Sequence, residues 1–180
     1  MNDLQIYNLA LSFRKAIERA RDAGEFQEDI TFGCFPRRCC GDTSYLLAEF
    51  LNRHGVESIW VSMEKDGSHA WLVVKDYRVK RPTSTSYNWP EKMWEILKSY
   101  GIEEPEKAID TTHYTETDLE NGLIIDITAD QFPDYDISVY AGMVDSFHKQ
   151  FGFKQAHDYN GLNDLNGRLE RLYSVIDRYL

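Results

Sequence analysis

Two adjacent cysteines, Cys39 and Cys40, stand in the stretch FPRRCCGDTS, just ahead of a segment with helical spacing. A cysteine in the first turn of a helix faces unpaired amide N–H groups and the positive end of the helix dipole, and both stabilise a thiolate. Arg37 and Arg38 add positive charge, and the small Gly41 leaves room for a substrate beside the thiol. Cys40 directly precedes the glycine and the helix, so it is the candidate nucleophile. Cys39 is the rival, one residue further out, and a vicinal disulfide between the two would be strained. Taken alone, either one reads as a buried structural thiol, because free cysteine is among the most buried residue types.

A thiol nucleophile needs a base. His69 lies in SHAWLVV, a strand-like run in which His69, Trp71 and Val73 share one face. His54, His113, His148 and His157 fall at helix ends or in loops, where the geometry is weaker. A base in turn needs an orienting group. Asp126 sits inside the apolar run GLIIDIT, where a carboxylate is costly unless something pairs with it. Asp76 is closer in sequence, but seven residues along one strand span about 23 Å, whereas a residue on an adjacent strand can lie beside His69. Cys40, His69 and Asp126 together follow triad logic: a nucleophile, a base that takes and returns its proton, and a carboxylate that fixes the ring tautomer. The competing use of the thiols is a zinc site from Cys34, Cys39, Cys40 and a histidine. Structural zinc prefers two cysteine pairs, and no second pair follows here. The expectation is a site with no metal and no cofactor.

The elements that must position these groups are legible as patterns. Asp3 can cap a helix over about 3–22, in which Ile6, Leu9, Ala10, Phe13, Ala16, Ile17 and Ala20 repeat at helical intervals before Gly24. A loop leads to a second helix from Cys40, with Leu46, Leu47, Phe50 and Leu51 on one face and Gly55 to end it. Strands at 56–63 and 68–76 flank the turn signal Lys65-Asp66-Gly67. Further strands are expected at 122–128 and 136–143. A last helix at 161–180 carries Leu162, Leu165, Leu169, Leu172, Ile176 and Tyr179 on one stripe. Between them, 77–121 is a polar insertion with one short helix, PEKMWEILKSYG. Its length suggests a lid or specificity element bearing Tyr87, Trp89 and Trp94. The order helix, helix, antiparallel strands, helix is an α+β arrangement.

CCGDTSYLLAEFL, SHAWLVV and GLIIDITADQF resemble the transglutaminase-like branch of the papain-fold cysteine enzymes, and a bacterial group with the same layout. The similarity runs over roughly residues 32–151; residues 1–24 and the last helix are not needed for it. It implies an antiparallel sheet packed against a nucleophile-bearing helix and flanking N- and C-terminal helices, with Cys40 as nucleophile, His69 as general base and Asp126 as orienter. Papain-type proteases place a glutamine several residues before the cysteine; here Cys34, Phe35 and Pro36 occupy that region. The oxyanion donors expected instead are the backbone N–H of Cys40 and a side chain, Gln131 or Trp71. An aspartate as third member, rather than papain's asparagine, favours the transglutaminase-like or arylamine-acetyltransferase-like side. The implied chemistry is acyl transfer through a thioester, with water as acceptor giving a peptidase or a glutamine deamidase. The alternative is a catalytically inactive fold that binds a protein partner.

The totals set the frame. The chain of 180 residues, with 42% hydrophobic and 28% charged residues, suits a single globular domain over 1–180. Its net charge of −10 disfavours nucleic acid as a partner, and a protein or peptide substrate is expected. No apolar run is long enough to span a bilayer. The N-terminus lacks the pattern of a signal peptide, and three cysteines do not make a disulfide framework. The expected setting is cytoplasmic.

Overall fold

In the computed structural model, which describes residues 1–65, 67–80, 82, 114–162 and 166–180, the chain begins with α1 (Asp3–Asp22). Its cap is Asn2 rather than Asp3: the Asn2 side chain accepts the Gln5 N–H and the Gln5 side chain accepts the Asn2 N–H, both at 2.9 Å. Asp3 is instead the first helical residue, where its charge suits the dipole. The apolar stripe of α1 buries Ile6, Ala10, Phe13, Ala16, Ile17 and Ala20. Each large side chain among them is worth about 1.5–3 kcal/mol of transfer free energy.

Helix α2 (Cys40–Arg53) starts at the expected residue. It ends at Gly55, whose φ of +76° is the left-handed conformation that glycine adopts without steric cost. Then come β1 (Ser58–Lys65) and β2 (Gly67–Val74), an antiparallel hairpin in register from Ser58–Val74 to Lys65–Gly67. The short α3 (Glu116–Leu119) precedes β3 (Ile124–Asp126) and β4 (Tyr140–Gly142), both shorter than the sequence runs suggest. β5 (Gly152–Asp158) follows, and α4 (Arg168–Asp177) closes the described elements. Gly167, at φ +59°, breaks the backbone just before α4, so that helix begins later than its leucine stripe implies. The helix expected at 90–101, the three aromatic residues of the insertion, Leu165 and His113 lie outside the described residues.

The five strands form one antiparallel sheet in the order β4-β3-β2-β1-β5. Alternation along each strand gives it two apolar faces. Ala70, Leu72, Val74 and Ile125 face the helix layer and share a core with Phe13, Ile17, Leu46, Leu47, Leu51 and Ile176. Val61, Met63, Trp71, Val73 and Ile124 face the other way, onto Tyr114, Leu119, Phe147 and Phe151. The fold is thus α+β, with α2 packed on β1 and β2 and with α1 and α4 flanking it. Among the described residues, no helix is long and apolar enough to cross a membrane.

Candidate active site

The site forms where the N-terminus of α2 meets the start of β2. The Ser44 hydroxyl, one turn into α2, donates to the Ala70 carbonyl at 3.2 Å and fixes the helix against the strand. The Cys40 sulfur then lies 4.0 Å from the Ser68 carbonyl oxygen. His69 and the backbone N–H groups of Gly41 and Ala70 lie close enough to the sulfur to favour its thiolate. A side chain built onto Gly41 would meet nothing within 4 Å, so the first turn of α2 is uncovered beside the thiol.

β2 and β3 bring the base and the carboxylate together. Leu72 pairs with Ile125. Continuing that register sets Asp126 opposite Trp71, so His69, two residues back on the same face, is its diagonal neighbour within side-chain reach. His69 Nε2 and Asp126 Oδ2 are 2.6 Å apart, and both side chains are fully buried. The other oxygen of Asp126 accepts the Thr128 N–H at 2.8 Å and its hydroxyl at 3.2 Å. Burial alone would raise the Asp126 carboxyl; the charge and hydrogen bond of His69 and the nearby His148 ring outweigh it and hold the group well below the usual carboxylate range. Burial would lower His69, but Asp126 and Cys40 push it up to about 9. Burial would raise Cys40, but the His69 hydrogen bond and charge bring it below its ordinary value. Asp76 plays no part: it pairs with Arg78 at 2.5 Å.

With Nε2 committed to Asp126, Nδ1 is the ring nitrogen left for the thiol. The Gln131 side-chain amide also reaches it, at 3.1 Å. Gln131 closes the single-turn helix Ala129–Gln131 just after β3. The orientation of its amide is assigned by its second partner, the Arg38 backbone N–H, which donates to Oε1 at 3.4 Å. Arg38 adopts a left-handed φ of 64°, which a non-glycine residue takes only at a cost of about 1–2 kcal/mol. Trp71 is buried beside His69, its ring set edge-on at 5.5 Å between centroids, and Phe132 and Phe151 flank the imidazole at 5.0 and 5.4 Å. The structure therefore brings Cys40, His69, Asp126, Gln131 and Trp71 into one cluster.

Cys39 and Cys34 do not join it. Burial pushes the Cys39 thiol up to about 12, and Cys34 is exposed. Among the described residues, no group of three or more His, Cys, Asp and Glu side chains is placed to hold a metal ion.

Two contributors are not apparent from sequence. Arg14, buried on α1, reaches across to the segment after β3. It donates to the carbonyls of Ile127 and Ser138 at 2.6 and 3.0 Å and makes a two-pronged pair with Asp130 at 2.7 and 2.8 Å. It thereby fixes the backbone between Asp126 and Gln131, so α1 supports the site although the family resemblance does not require it. The other is His148, expected at a helix end or in a loop with weaker geometry, which lies behind Asp126 with Nε2 at 3.4 Å from Oδ2. An arginine on an otherwise amphipathic helix and a histidine in a loop carry no pattern that separates them from solvated side chains. No protein-family model matches the chain, nor does any curated protein or solved structure.

Proposed function

We propose that this chain is a cysteine acyl-transfer enzyme with a transglutaminase-like, papain-type fold, hydrolysing an amide of a protein or peptide, either a peptide bond or a glutamine side chain. The observation that supports it most directly is the two-sided engagement of His69, with Asp126 on Nε2 at 2.6 Å and the Cys40 thiol close enough to the ring for His69 to lower it. With His69 pushed up to about 9 and Cys40 lowered, the proton shared by the pair resides on the imidazole. The resting pair is a thiolate and an imidazolium.

The thiolate attacks the amide carbon, and the carbonyl electrons move onto oxygen. Backbone N–H groups at the start of α2 meet that oxyanion. Gln131 supplies a side-chain donor: with Nδ1 already protonated in the resting pair, the Gln131 amide nitrogen faces another donor and is better placed on the new oxyanion. His69 then gives its proton to the leaving nitrogen as the C–N bond breaks, which leaves a thioester. Water attacks the thioester, His69 Nδ1 takes its proton, and cleavage of the C–S bond releases the carboxylic acid and restores Cys40. Asp126 holds the ring throughout. A cavity of about 420 Å³ lies beyond Phe132 and Phe151, the rings that flank His69; its wall mixes these and Tyr135 and Phe147 with Lys65, Asp134, Ser146 and Gln150.

One observation favours the inactive, partner-binding alternative: His69 is fully shut off from solvent. The two readings separate on the rate of Cys40 alkylation by iodoacetamide over pH 4–9, in the wild type and in His69→Ala. Fast reaction at low pH that the substitution abolishes is the enzyme's signature. A rate that climbs only near the ordinary thiol value of about 8.5, indifferent to His69, leaves the binding module.

A further inference from the structure

The line of polar groups that begins at Cys40 does not stop at Asp126. His148 lies behind it in the single-turn helix His148–Gln150 and is 1% exposed. Its ring is enclosed by Trp71, Tyr140 and Phe147, at 5.0, 4.7 and 5.1 Å between centroids. Nδ1 sits 2.7 Å from Asp145 Oδ1, which also accepts the His148 backbone N–H at 2.9 Å. The second Asp145 oxygen accepts the Tyr135 hydroxyl at 2.9 Å. Nε2 is turned to Asp126 Oδ2 at 3.4 Å, the oxygen that already receives His69. That approach is electrostatic rather than a well-formed hydrogen bond, and Nε2 has no other partner. A buried polar atom left so is costly, and such atoms in a native fold call for an explanation.

We propose that His148 is a positioning residue for the cysteine site: anchored by Asp145, it presents Nε2 to Asp126 and sets how strongly that carboxylate grips His69. The inference rests on the triad reading above. The two ring nitrogens face two carboxylates. A ring protonated only on Nδ1 serves Asp145 and turns a lone pair to Asp126; one protonated only on Nε2 does the reverse; the doubly protonated ring donates to both. A proton on Nε2 draws charge from Oδ2 and lessens the pull of Asp126 on His69. Asp126 thus divides its charge between two imidazoles, and the share left to His69 sets the alkaline end of the range over which the thiolate–imidazolium pair survives. The other charged groups on this side are Glu116, Glu120 and Lys149, which line the cavity against the His148 ring.

The test is the pH profile of Cys40 alkylation by iodoacetamide in the full chain, whose upper inflection reports loss of the His69 proton. His148→Phe is expected to move that inflection up by about half a unit or more, the scale of a lost neighbouring charge or hydrogen bond. His148→Gln, whose amide N–H can reach Oδ2, is expected to return it towards the wild-type position. Should His148→Phe fail to fold, Asp145→Asn releases the ring from its anchor and shifts the inflection in the same direction. Profiles that superimpose in the wild type, His148→Phe and Asp145→Asn, while His69→Ala still abolishes the low-pH reaction, overturn the role of His148 and leave the triad standing. An ordinary thiol profile in the wild type itself removes the triad, and this inference with it.

Discussion

Cys39 and Cys40 are adjacent in the chain, yet their thiols are driven in opposite directions. Burial raises Cys39 to about 12, whereas the hydrogen bond and charge of His69 overcome burial at Cys40 and lower it. One residue along the start of α2 is enough to turn one sulfur away from the imidazole and the other onto it.

Labelling is therefore expected to be selective. In a Cys34→Ser background at pH 6, iodoacetamide should modify Cys40 and spare Cys39, as read by peptide mass spectrometry. Cys40→Ser should abolish the fast phase and Cys39→Ser should leave it intact. Fast labelling of Cys39 would reverse the assignment of the nucleophile.

The pH dependence of stability has an unusual sign structure. His69 is raised from an ordinary 6.5 to about 9, so its contribution is complete below about 6.5 and is lost as pH rises through about 9. Cys40 is lowered, so its contribution grows as pH rises towards the ordinary thiol value of about 8.5. Between those limits the two effects oppose one another. Cys40→Ser removes the opposing one. Its stability should fall with rising pH from about 6.5, by up to about 1.4 kcal/mol per pH unit, more steeply than that of the wild type. Denaturant midpoints at half-unit intervals would show this, and parallel curves for the two proteins would contradict the ion pair. At the acid end, Asp126 is depressed, so its contribution is present above about 3.9 and is lost as pH falls through its lower folded value.

Gln131→Leu should separate two reactions of the same sulfur. Amide hydrolysis develops an oxyanion and should slow by about 10²–10³-fold, the usual effect of removing one such donor. Alkylation by iodoacetamide develops none and should be unaffected. If both rates fall together, Gln131 acts by holding His69 and not as an oxyanion donor.

Arg14 offers a stability test remote from the sulfur. Arg14→Leu strands Asp130 and two carbonyls that the guanidinium now serves, and should cost about 3–5 kcal/mol in urea unfolding. Arg14→Lys should recover little, because one ammonium cannot reproduce the planar fork on a carboxylate together with two carbonyl bonds. Full rescue by lysine would reduce the clamp to a simple charge.

Several short-range rules carry from sequence to structure, although the cap of α1 moves from Asp3 to Asn2. The hairpin, the start of α2 at Cys40 and the Gly55 stop follow from alternation, dipole and backbone freedom. The pairing of His69 with Asp126 is legible for a similar reason, since a carboxylate within an apolar strand demands a partner on the next strand. β5 is not, because Lys154, Gln155, His157 and Asp158 dilute its pattern and Ala156 is its one fully buried residue. β4 is three residues long and is defined by pairing with β3 more than by its composition. The parts of the site that escape the sequence, Arg14 and His148 with Asp145, depend on tertiary partners distant from any pattern.

The pairing of residues 57 positions apart, His69 with Asp126, bears on when the thiol becomes reactive. While the chain is being synthesised, α2 and the β1–β2 hairpin emerge first and close only small loops. The carboxylate that raises the imidazole arrives with β3, and the Arg14 clamp spanning 116 positions closes around it. Until that long-range closure, His69 faces Cys40 without the carboxylate that raises its imidazole. In the triad proposed above, thiol reactivity therefore waits for β3 and not only for the hairpin that carries His69.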